Sequence, residues 1–586
     1  MDMQKFTEDY WQIALFAEWI CNKINTIVMK QTAFFLVIIV GMIWSCKDDP
    51  VGPDLGTPVI KFTPEVSEYK IKEGKSVTLS VTVENAVNPS YMWLLDGKVL
   101  STALTLTFLG DNIGEFFINF RVEAENGHDE KQIKVSVLEM VAPVINNPSE
   151  MIVYIGENIE ITADALYAEN AEYVWLLNET IISEEQKYTY SSSVVGSQAI
   201  TLKVTTEDGS TSKVITITTL PVPNPEMFFD NGQYRTVTNA ENPVKMGVSL
   251  GKSLVLAPVI CNIKDTVSFV WTVNGVTQSS STEYFTFTPT AKGEYTITVT
   301  ESGSSIKAEV TVTCTDPEGT FFRPVTTQSK ATAATAFDYI PAPGQFINYQ
   351  TGSTKTGALQ DLQSTLNSAS SSHIGAYGGY MIVGFDHSVE NVDGKSDLRI
   401  TGNTFAEWGE PGIVWVMQDE NGNGLPDDTW YELKGSEADN KETIKRYAIT
   451  YYKPSTGGSS VLWSDNIGRT GSIDRHSLHP QAYYFPMFIT EDCYTLTGTL
   501  LPPTFYIEAG LEKNKEFAWG YVDNLSSNPT RPYNEFWIED AIQVDGSPVN
   551  LQYIDFVKVH TAVIGKGNAV GELSTEPGCP TDINLL

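Results

Sequence analysis

The chain has 586 residues, of which 41% are hydrophobic and 11% aromatic, so it is too long for one typical domain and unlike disordered proteins in composition. Its 72 acidic and 38 basic residues give a formal net charge of -34, and so acidic a surface repels a nucleic-acid backbone. The composition therefore predicts several globular domains and argues against nucleic acid as a partner.

The first informative segment is an apolar run near the N-terminus. From Met29, the sequence MKQTAFFLVIIVGMIWSC carries one lysine, an apolar stretch, and then a serine before Cys46. The stretch is about 12 residues long, which suits a signal peptide and falls short of the roughly 20 residues that cross a bilayer. It predicts a signal peptide over 29–45 and leaves 1–28 as an upstream start artefact.

The small residue before Cys46 resembles the lipobox of bacterial lipoproteins, whose cysteine takes diacylglycerol and becomes the mature N-terminus. The acidic tail CKDDPVGPDLG resembles the signal that exports Bacteroidetes lipoproteins to the cell surface. These resemblances imply a lipid on Cys46, a tether over 46–56, and a location at the outer face of the outer membrane. The alternative is an ordinary signal peptide that is cut nearby.

A threefold repeat follows. In each unit a glycine is followed by a tryptophan after 19 or 20 residues and by a second glycine after a further 21 or 22; the tryptophans are Trp93, Trp175 and Trp271. Alternating apolar segments such as SVTLSVTV and YMWLLDG surround them, and a period of two between turns is typical of β-sandwiches. Because their neighbours in a repeated strand are apolar, the tryptophans are predicted to fill cores rather than stack on ligands.

These strands resemble the PKD-like and bacterial Ig-like domains of surface proteins. The resemblance implies three sandwiches, over 57–140, 141–221 and 222–318. Cys261 and Cys314 of the third sandwich are predicted to be free thiols, because the strand ends that carry them lie at opposite poles of an Ig topology. Placed end to end, three sandwiches would form a spacer on the order of 100 Å long.

The repeat stops at Gly319, and residues 319–586 contain many short strands between Gly and Asn turns. Segments such as YMIVGFD, GIVWVMQ and IDFVKVHTA indicate strands, whereas ALQDLQSTLNSA favours a short helix. This pattern predicts one larger, jelly-roll-like β-sandwich. The predicted fold class is therefore all-β, with tandem Ig/PKD-like β-sandwiches followed by the larger sandwich.

Five aromatic residues of this last domain lie beside Gly, Asn, Asp or Pro rather than inside a strand. Loop aromatics next to amides and acids suit stacking and hydrogen bonding to a sugar or another flat ligand. The alternative is that they plug the ends of the sandwich. The candidate ligand-binding residues are Trp408, Trp463, Tyr483, Tyr484 and Trp519.

The stretch DENGNGLPDDTWYEL, which begins at Asp419, places oxygen-bearing side chains at positions 1, 3, 5 and 9 of a loop whose sixth residue is Gly424. Hard oxygen ligands at this spacing suit Ca²⁺. The loop resembles the calcium loops of thrombospondin type 3 repeats, although position 12, a glutamate in EF-hands, is Trp430. A structural calcium site and a bare hairpin turn both fit the pattern. The candidate ligands are Asp419, Asn421, Asn423, Asp427, Asp428 and Glu432.

The sequence has no HExxH pair and no Walker loop. A pair of glycosidase carboxylates could come in principle from a set of nearby acids, but nothing in the sequence marks any of them as activated. The set is Glu407, Glu410, Asp427, Asp428 and Glu432. No catalytic residue is predicted.

The segments GGYMIVGFDHSVEN, FAEWGEPGIVWVMQ and WGYVDN resemble the C-terminal domain of Bacteroidetes cell-surface proteins, over about residues 340–576. Some related lipoproteins accompany TonB-dependent transporters and capture a nutrient before import. The resemblance implies a non-catalytic lipoprotein that captures a glycan or a corrinoid at the outer membrane. The alternatives are a surface glycoside hydrolase and an adhesin or structural surface protein.

Overall fold

The computed structural model describes residues 56–586, apart from 241–242, 264–267, 351–352, 369, 455–456, 477–478, 480, 509–510 and 568–570, with the backbone alone at 349–350. The predicted signal peptide, the lipidation candidate Cys46 and the tether up to residue 55 lie outside the described residues. No helix in the described part of the chain is long and apolar enough to cross a membrane. The chain divides into two compact units, Met1–Met140 and Val141–Leu586.

Domain 1, in the first unit, is a β-sandwich. Its strands are β1 (Val59–Phe62), β2 (Glu68–Lys72), β3 (Ser76–Glu84), β4 (Ser90–Leu95), β5 (Lys98–Ser101), β6 (Thr105–Leu109), β7 (Gly114–Ala124) and β8 (Gly127–Leu138). They form a five-stranded sheet, β2-β8-β7-β4-β5, and a three-stranded sheet, β1-β3-β6. Residues of both sheets share one apolar core.

Domain 2 repeats this plan at the start of the second unit. Its strands are β9 (Val144–Ile145), β10 (Glu150–Tyr154), β11 (Asn158–Thr162), β12 (Ala165–Leu166), β13 (Glu172–Leu177), β14 (Thr180–Ser183), β15 (Lys187–Ser191), β16 (Gly196–Thr206) and β17 (Gly209–Leu220). The five-stranded sheet has the order β10-β17-β16-β13-β14, and β11 pairs with β15 to begin the opposite sheet.

Domain 3 is the third sandwich. Its strands are β18 (Glu226–Phe228), β19 (Val244–Ser249), β20 (Leu254–Leu256), β21 (Val259–Cys261), β22 (Phe269–Val273), β23 (Val276–Thr277), β24 (Phe285–Phe287), β25 (Gly293–Glu301) and β26 (Lys307–Thr315). The main sheet has the order β19-β26-β25-β22-β23. Cys261 and Cys314 are both buried and both free of disulfides, as the sequence predicts.

The three repeat tryptophans are equivalent in the three sandwiches. Trp93, Trp175 and Trp271 are fully buried, and each indole N–H donates to a backbone carbonyl 10 or 11 residues further along, at 3.0, 3.0 and 2.8 Å. A buried donor without an acceptor would cost about 1–3 kcal/mol, so the bond is part of what makes the residue suitable for a core. The prediction that these tryptophans are core residues is confirmed.

The first glycine of each repeat is fixed by the backbone. Gly74, Gly156 and Gly251 have φ angles of 75°, 83° and 91°, in the left-handed region where other L-residues are strained. Each lies in the turn shortly before β3, β11 or β20. The regular glycine-to-tryptophan spacing therefore arises because all three domains share the same turn and the same core position.

The C-terminal domain begins with β27 (Thr335–Ile340), the short helix α1 (Ile347–Gln350) and the helix α2 (Lys355–Leu366). Its further strands are β28 (Tyr380–Glu390), β29 (Leu398–Arg399), β30 (Gly412–Met417), β31 (Tyr431–Leu433), β32 (Ile444–Tyr452), β33 (Val461–Asp465), β34 (Thr470–Ile473), β35 (Cys493–Leu500), β36 (Phe505–Glu508), β37 (Leu511–Asn514), β38 (Glu535–Phe536), β39 (Ala541–Ile542), β40 (Tyr553–Thr561), β41 (Lys566–Gly567), β42 (Gly571–Glu572) and β43 (Thr581–Asp582).

This domain is a larger, jelly-roll-like sandwich with an added helical layer. A six-stranded sheet, β27-β28-β40-β30-β31-β39, stands beside a four-stranded sheet, β34-β33-β32-β35. Because side chains alternate along β28, Tyr380 and Ile382 face the core between the sheets, whereas Met381 and Val383 face a second core that includes α2. The all-β fold class is confirmed.

Domains 2 and 3 both pack against the C-terminal domain. Thr470 Oγ1 donates to the Ile152 carbonyl of domain 2 at 3.0 Å, and Arg446 Nη1 donates to the Pro258 carbonyl of domain 3 at 2.7 Å. The expectation of three sandwiches placed end to end as a spacer is therefore wrong for domains 2 and 3. Domains 2 and 3 and the C-terminal domain belong to one compact unit.

Candidate functional site

Three carboxyl groups meet in the C-terminal domain. Glu410, Asp523 and Glu576 each offer an oxygen that lies within 4.8 Å of those of the other two. These three residues are termed the acidic cluster. Glu410 lies two residues before β30, and Glu576 follows β42, so the two glutamates are distant in sequence and meet only through the fold.

Asp523 holds the loops of the cluster together. Its Oδ1 accepts the N–H groups of Asn403 and Thr404 at 2.8 Å each, and its Oδ2 accepts the N–H of Glu576 at 2.9 Å. Its own carbonyl accepts the N–H of Glu410 at 3.0 Å. Asp523 has a φ of 57°, and a strained backbone at a residue with four such bonds shows that the surroundings fix its position.

Burial favours the protonated forms of two members of the cluster, Glu410 and Asp523. Burial, followed by the charges of Glu576 and Asp523, raises the pKa of Glu410 well above its usual range. Burial also raises the pKa of Asp523 to about 7, although its backbone donors act in the opposite direction. Glu576 is bonded on both oxygens, to His373 Nδ1 at 2.7 Å and to Asn403 Nδ2. A protonated Glu410 can donate a hydrogen bond as well as accept one.

A stacked aromatic pair lies on the same loop. Phe405 and Trp408 have ring planes within 10° of parallel and ring centroids 6.2 Å apart. Phe405 is 63% exposed, whereas Trp408 is half-buried against an apolar cluster of the domain. Residues 402–410, which carry this pair together with Asn403 and Glu410, are termed the aromatic loop.

Local bonds hold the aromatic loop in its turn. Trp408 N–H donates to the Phe405 carbonyl at 3.0 Å, and Thr404 Oγ1 donates to the Trp408 carbonyl at 2.6 Å. Glu407, which lies between Phe405 and Trp408 in sequence, has a φ of 63°. The stacked rings are therefore held by a defined turn whose two ends enter the acidic cluster.

The other predicted ligand-binding aromatics have different environments. Trp463 and Tyr484 are only 8% and 3% exposed and belong to the core between the two sheets, so the stacking role predicted for them is not available in this fold. Tyr483 is 44% exposed, and Trp519 is half-buried with the Arg531 guanidinium 5.1 Å from its ring centroid. Among the described residues, no ring contact joins any two of the five predicted aromatics.

The predicted calcium loop folds as a compact hairpin turn. Asp419 is buried and accepts the N–H groups of Gly422, Asn423 and Gly424 at 2.8–3.1 Å. The side-chain amides of Asn421 and Asn423 both donate to Asp427, at 3.1 Å. Four of the six predicted ligands, the two asparagines with Asp427 and Asp428, therefore come together, while Asp419 supports the turn beneath them.

Glu432, the sixth predicted ligand, is not with the others. Its Oε1 accepts from Lys445 Nζ at 2.6 Å and its Oε2 accepts from Thr499 Oγ1 at 2.5 Å. Both of its oxygens are thus engaged inside the domain, because Glu432 lies on β31 and not in the loop.

Sequence reasoning missed Phe405, Asp523 and Glu576, and considered Glu410 only as one acid among several. A weak signal was present, because Glu410 and Glu576 each begin a Glu-Pro-Gly tripeptide. Asp523 left no such signal, since its role rests on bonds to backbone groups of other loops.

Comparison with known families bears on the repeats. The family model described as a PKD-like domain matches residues 57–126 and 143–206. Domains 1 and 2 are PKD-like. The match to these PKD-like domains covers less than half of the chain and does not reach the C-terminal domain. No match was found among the curated proteins.

Solved structures of several multidomain fragments are also similar in fold. An I-band fragment of titin has 14% identity and a TM-score of 0.21 over 44% of this chain and 97% of that one. Three N-terminal domains of the Highly Immunogenic Outer Capsid protein of bacteriophage RB49 have 14% identity and a TM-score of 0.23, over 44% and 99%. Fibronectin(III)-like modules of Clostridium thermocellum CbhA have 17% identity and a TM-score of 0.19, over 28% and 97%. At such values no functional argument is drawn from them.

Proposed function

We propose that this protein is a non-catalytic lipoprotein of the bacterial outer surface that captures a glycan with the aromatic loop of its C-terminal domain. The observation that carries the proposal is the stacked Phe405–Trp408 pair, whose Phe405 is exposed, held on the same loop that delivers Asn403 and Glu410 to the acidic cluster. The sequence resemblance implies either a glycan or a corrinoid as the nutrient, so a corrinoid is the alternative ligand.

The chemistry of a sugar suits this arrangement. The apolar face of a pyranose ring stacks on an aromatic ring, and its hydroxyl groups need both donors and acceptors. Phe405 and Trp408 offer the rings, while a protonated Glu410 next to Glu576 offers both kinds of hydrogen-bonding group.

The surface location rests on the sequence. The apolar run before Cys46 and the acidic residues after it support a lipid anchor, and the PKD-like domains lie between that anchor and the C-terminal domain. A TonB-dependent transporter is the proposed partner that would receive the captured nutrient.

The test is binding of the full-length protein to a glycan panel, with a corrinoid included. We expect Phe405→Ala and Trp408→Ala each to weaken binding about tenfold, as losses of buried aromatic anchors do. Tyr533→Ala, at a residue that is 54% exposed and outside the aromatic loop, is the matched control. Glycan binding that survives both loop variants would refute the site, and binding of a corrinoid alone would replace the ligand.

A hydrolase is the second candidate, and one observation favours it. Glu410 has the raised pKa of a general acid and has other carboxyl oxygens within 4.8 Å. That separation is below the roughly 6.5–9.5 Å of inverting glycosidases and near the roughly 5–5.5 Å of retaining ones. Reducing-sugar release that disappears in Glu410→Gln, while binding is retained, would establish hydrolysis; binding without release supports capture.

We also propose that the loop from Asp419 to Asp428 holds a structural Ca²⁺. The available donors are hard oxygens, and Asn421 and Asn423 can turn their amide oxygens toward an ion beside Asp427. Calorimetry with Ca²⁺ tests this, with Asp427→Asn as the variant and the exposed Asp393→Asn as its control. Absence of heat and of any melting shift at millimolar Ca²⁺ would leave the loop as a bare turn.

A further inference from the structure

A cavity lies between domain 3 and the C-terminal domain, within one compact unit. It has a volume of about 100 Å³. Domain 3 contributes the segment from Leu254 to Ala257, and the C-terminal domain contributes side chains from both of its main sheets, among them Lys558 and Arg446. None of the described residues that line it belongs to the aromatic loop or to the acidic cluster.

Two buried donors that line this cavity have no acceptor. They are Trp430 Nε1–H and Arg446 Nε–H. The rest of the Arg446 guanidinium is engaged, since Nη1 donates to Pro258 O and Nη2 donates to Glu283, at 2.7 Å each. Buried polar groups are nearly always bonded, so two free donors on one cavity indicate a missing acceptor.

The backbone holds Arg446 in an unusual conformation. Its φ is 53°, at an irregularity in the pairing of β32 with β35. Strain of this kind persists only where the surroundings fix it, and it tends to occur at binding sites. In this conformation the two Nη atoms of the Arg446 guanidinium bond to domain 3, whereas its Nε is unpaired and the residue lines the cavity.

The remaining walls define what could fill the space. Leu254, Leu256, Val259 and Ile542 form an apolar side. The charged lining is balanced, with three bases, Lys445, Arg446 and Lys558, and three acids, Asp230, Asp428 and Glu432. Glu432 is paired with Lys445 at 2.6 Å, and Lys558, which is 4% exposed, donates to the Gly232 carbonyl at 2.7 Å. Because these charges offset one another, the two unpaired N–H donors, rather than net charge, favour a ligand with acceptor oxygens and a short hydrocarbon part.

We propose that this cavity binds a small aliphatic carboxylate, whose oxygens accept from Trp430 Nε1 and Arg446 Nε and whose hydrocarbon part lies against the leucines of domain 3. A buried water needs about 10–15 Å³ of such volume, so the cavity has room for about seven to ten water-sized positions, and the roughly six non-hydrogen atoms of butyrate fit within it. Because both domains supply walls, the bound carboxylate fastens domain 3 to the C-terminal domain. This site is independent of the proposed glycan site.

The experiment is titration of the full-length protein with sodium butyrate, followed by calorimetry and by ligand-observed NMR, with butanol as the uncharged probe of similar size. We expect butyrate to bind and to raise the melting temperature, and butanol to bind at least about tenfold more weakly because it leaves donors unpaired. Trp430→Phe, which removes the indole N–H and keeps a smaller aromatic ring, should weaken butyrate binding by about tenfold.

Controls separate loss of the site from loss of the fold. Trp519→Phe, the same substitution at a residue outside the cavity, should bind butyrate as the wild type does. Ala257→Val narrows the cavity without touching either donor and should also lose binding. Three results would overturn the proposal and leave water as the occupant. The first is equal affinity for butanol and butyrate, and the second is binding that survives both Trp430→Phe and Ala257→Val. The third is no binding at up to about 50 mM butyrate, which is a weak limit even for a ligand this small.

Discussion

Replacement of Glu420 by glutamine should stabilise the protein at alkaline pH and not at acidic pH. Glu420 is 5% exposed at the contact between the loop after β30 and domain 3. Its Oε1 accepts the N–H of Ser249 at 3.1 Å, whereas its Oε2 has no hydrogen-bond partner. Burial, followed by the charge of Asp428, raises the pKa of Glu420 to about 8. Folding therefore forces a proton onto a group that is ionised in the unfolded chain.

The sign and size follow from that pKa. A raised carboxyl pKa means that the folded state binds more protons, so stability falls as pH rises from the usual value of 4.5 to about 8. One pH unit corresponds to about 1.4 kcal/mol, and the full interval to an upper limit of about 5 kcal/mol. Relaxation of the contact reduces this, and we expect Glu420→Gln to gain about 1–3 kcal/mol at pH 8.5 and little at pH 5.

The assay is urea unfolding at the two pH values. Glu442→Gln, at an exposed residue, makes the same change of charge and serves as the control. We expect the free energy of unfolding of Glu420→Gln to exceed that of the wild type by an amount that grows with pH, and the control to show no such trend. An effect of Glu420→Gln that is equal at both pH values would refute the reasoning, because it would show that the carboxyl does not titrate in this range.

Three further outcomes are expected. Gly247→Ala should loosen the same contact by about 1–3 kcal/mol, measured as faster hydrogen exchange at Ser249, because a β-carbon there would lie 2.1 Å from Asp428 Oδ1. Trp175→Ala should cost domain 2 about 3–5 kcal/mol, measured by denaturant unfolding, since it empties the centre of a core. The thiol of Cys261 is 6% exposed, and burial raises its pKa to about 12. It should therefore resist iodoacetamide at pH 8 until the protein is unfolded, and mass spectrometry would detect the adduct.

The sandwiches could be predicted because their signals are local. A turn glycine, an alternating strand and a core tryptophan each depend on a few neighbouring residues, and domains 1 to 3 repeat them with one spacing. The helix α2 and the main strands of the C-terminal domain are visible for the same reason. What the local pattern could not show is that Trp463 and Tyr484, although beside turn residues, face the core between two sheets.

The acidic cluster depends on contacts that no short segment contains. Glu410 and Glu576 are 166 positions apart in the chain, and the raised pKa of Glu410 depends on burial that only the folded loops create. Asp523 is placed by backbone N–H groups from two other loops. The sequence indicated only one member of the stacked aromatic pair, since Trp408 was a candidate and Phe405, three residues earlier, was not.

The loop that begins at Asp419 shows how one acidic stretch can serve two purposes. Asn421, Asn423 and Asp427 face one another across the turn, whereas Glu420 and Asp428 face domain 3. The two sets are linked, because Asn421 Nδ2 donates to Asp427 and to Asp428 at 3.1 Å each. An ion that turns this amide removes a donor from Asp428 and changes its burial energy. The gain from Glu420→Gln at pH 8.5 should therefore differ with and without Ca²⁺, and an identical gain in both conditions would show that the two halves of the loop act separately.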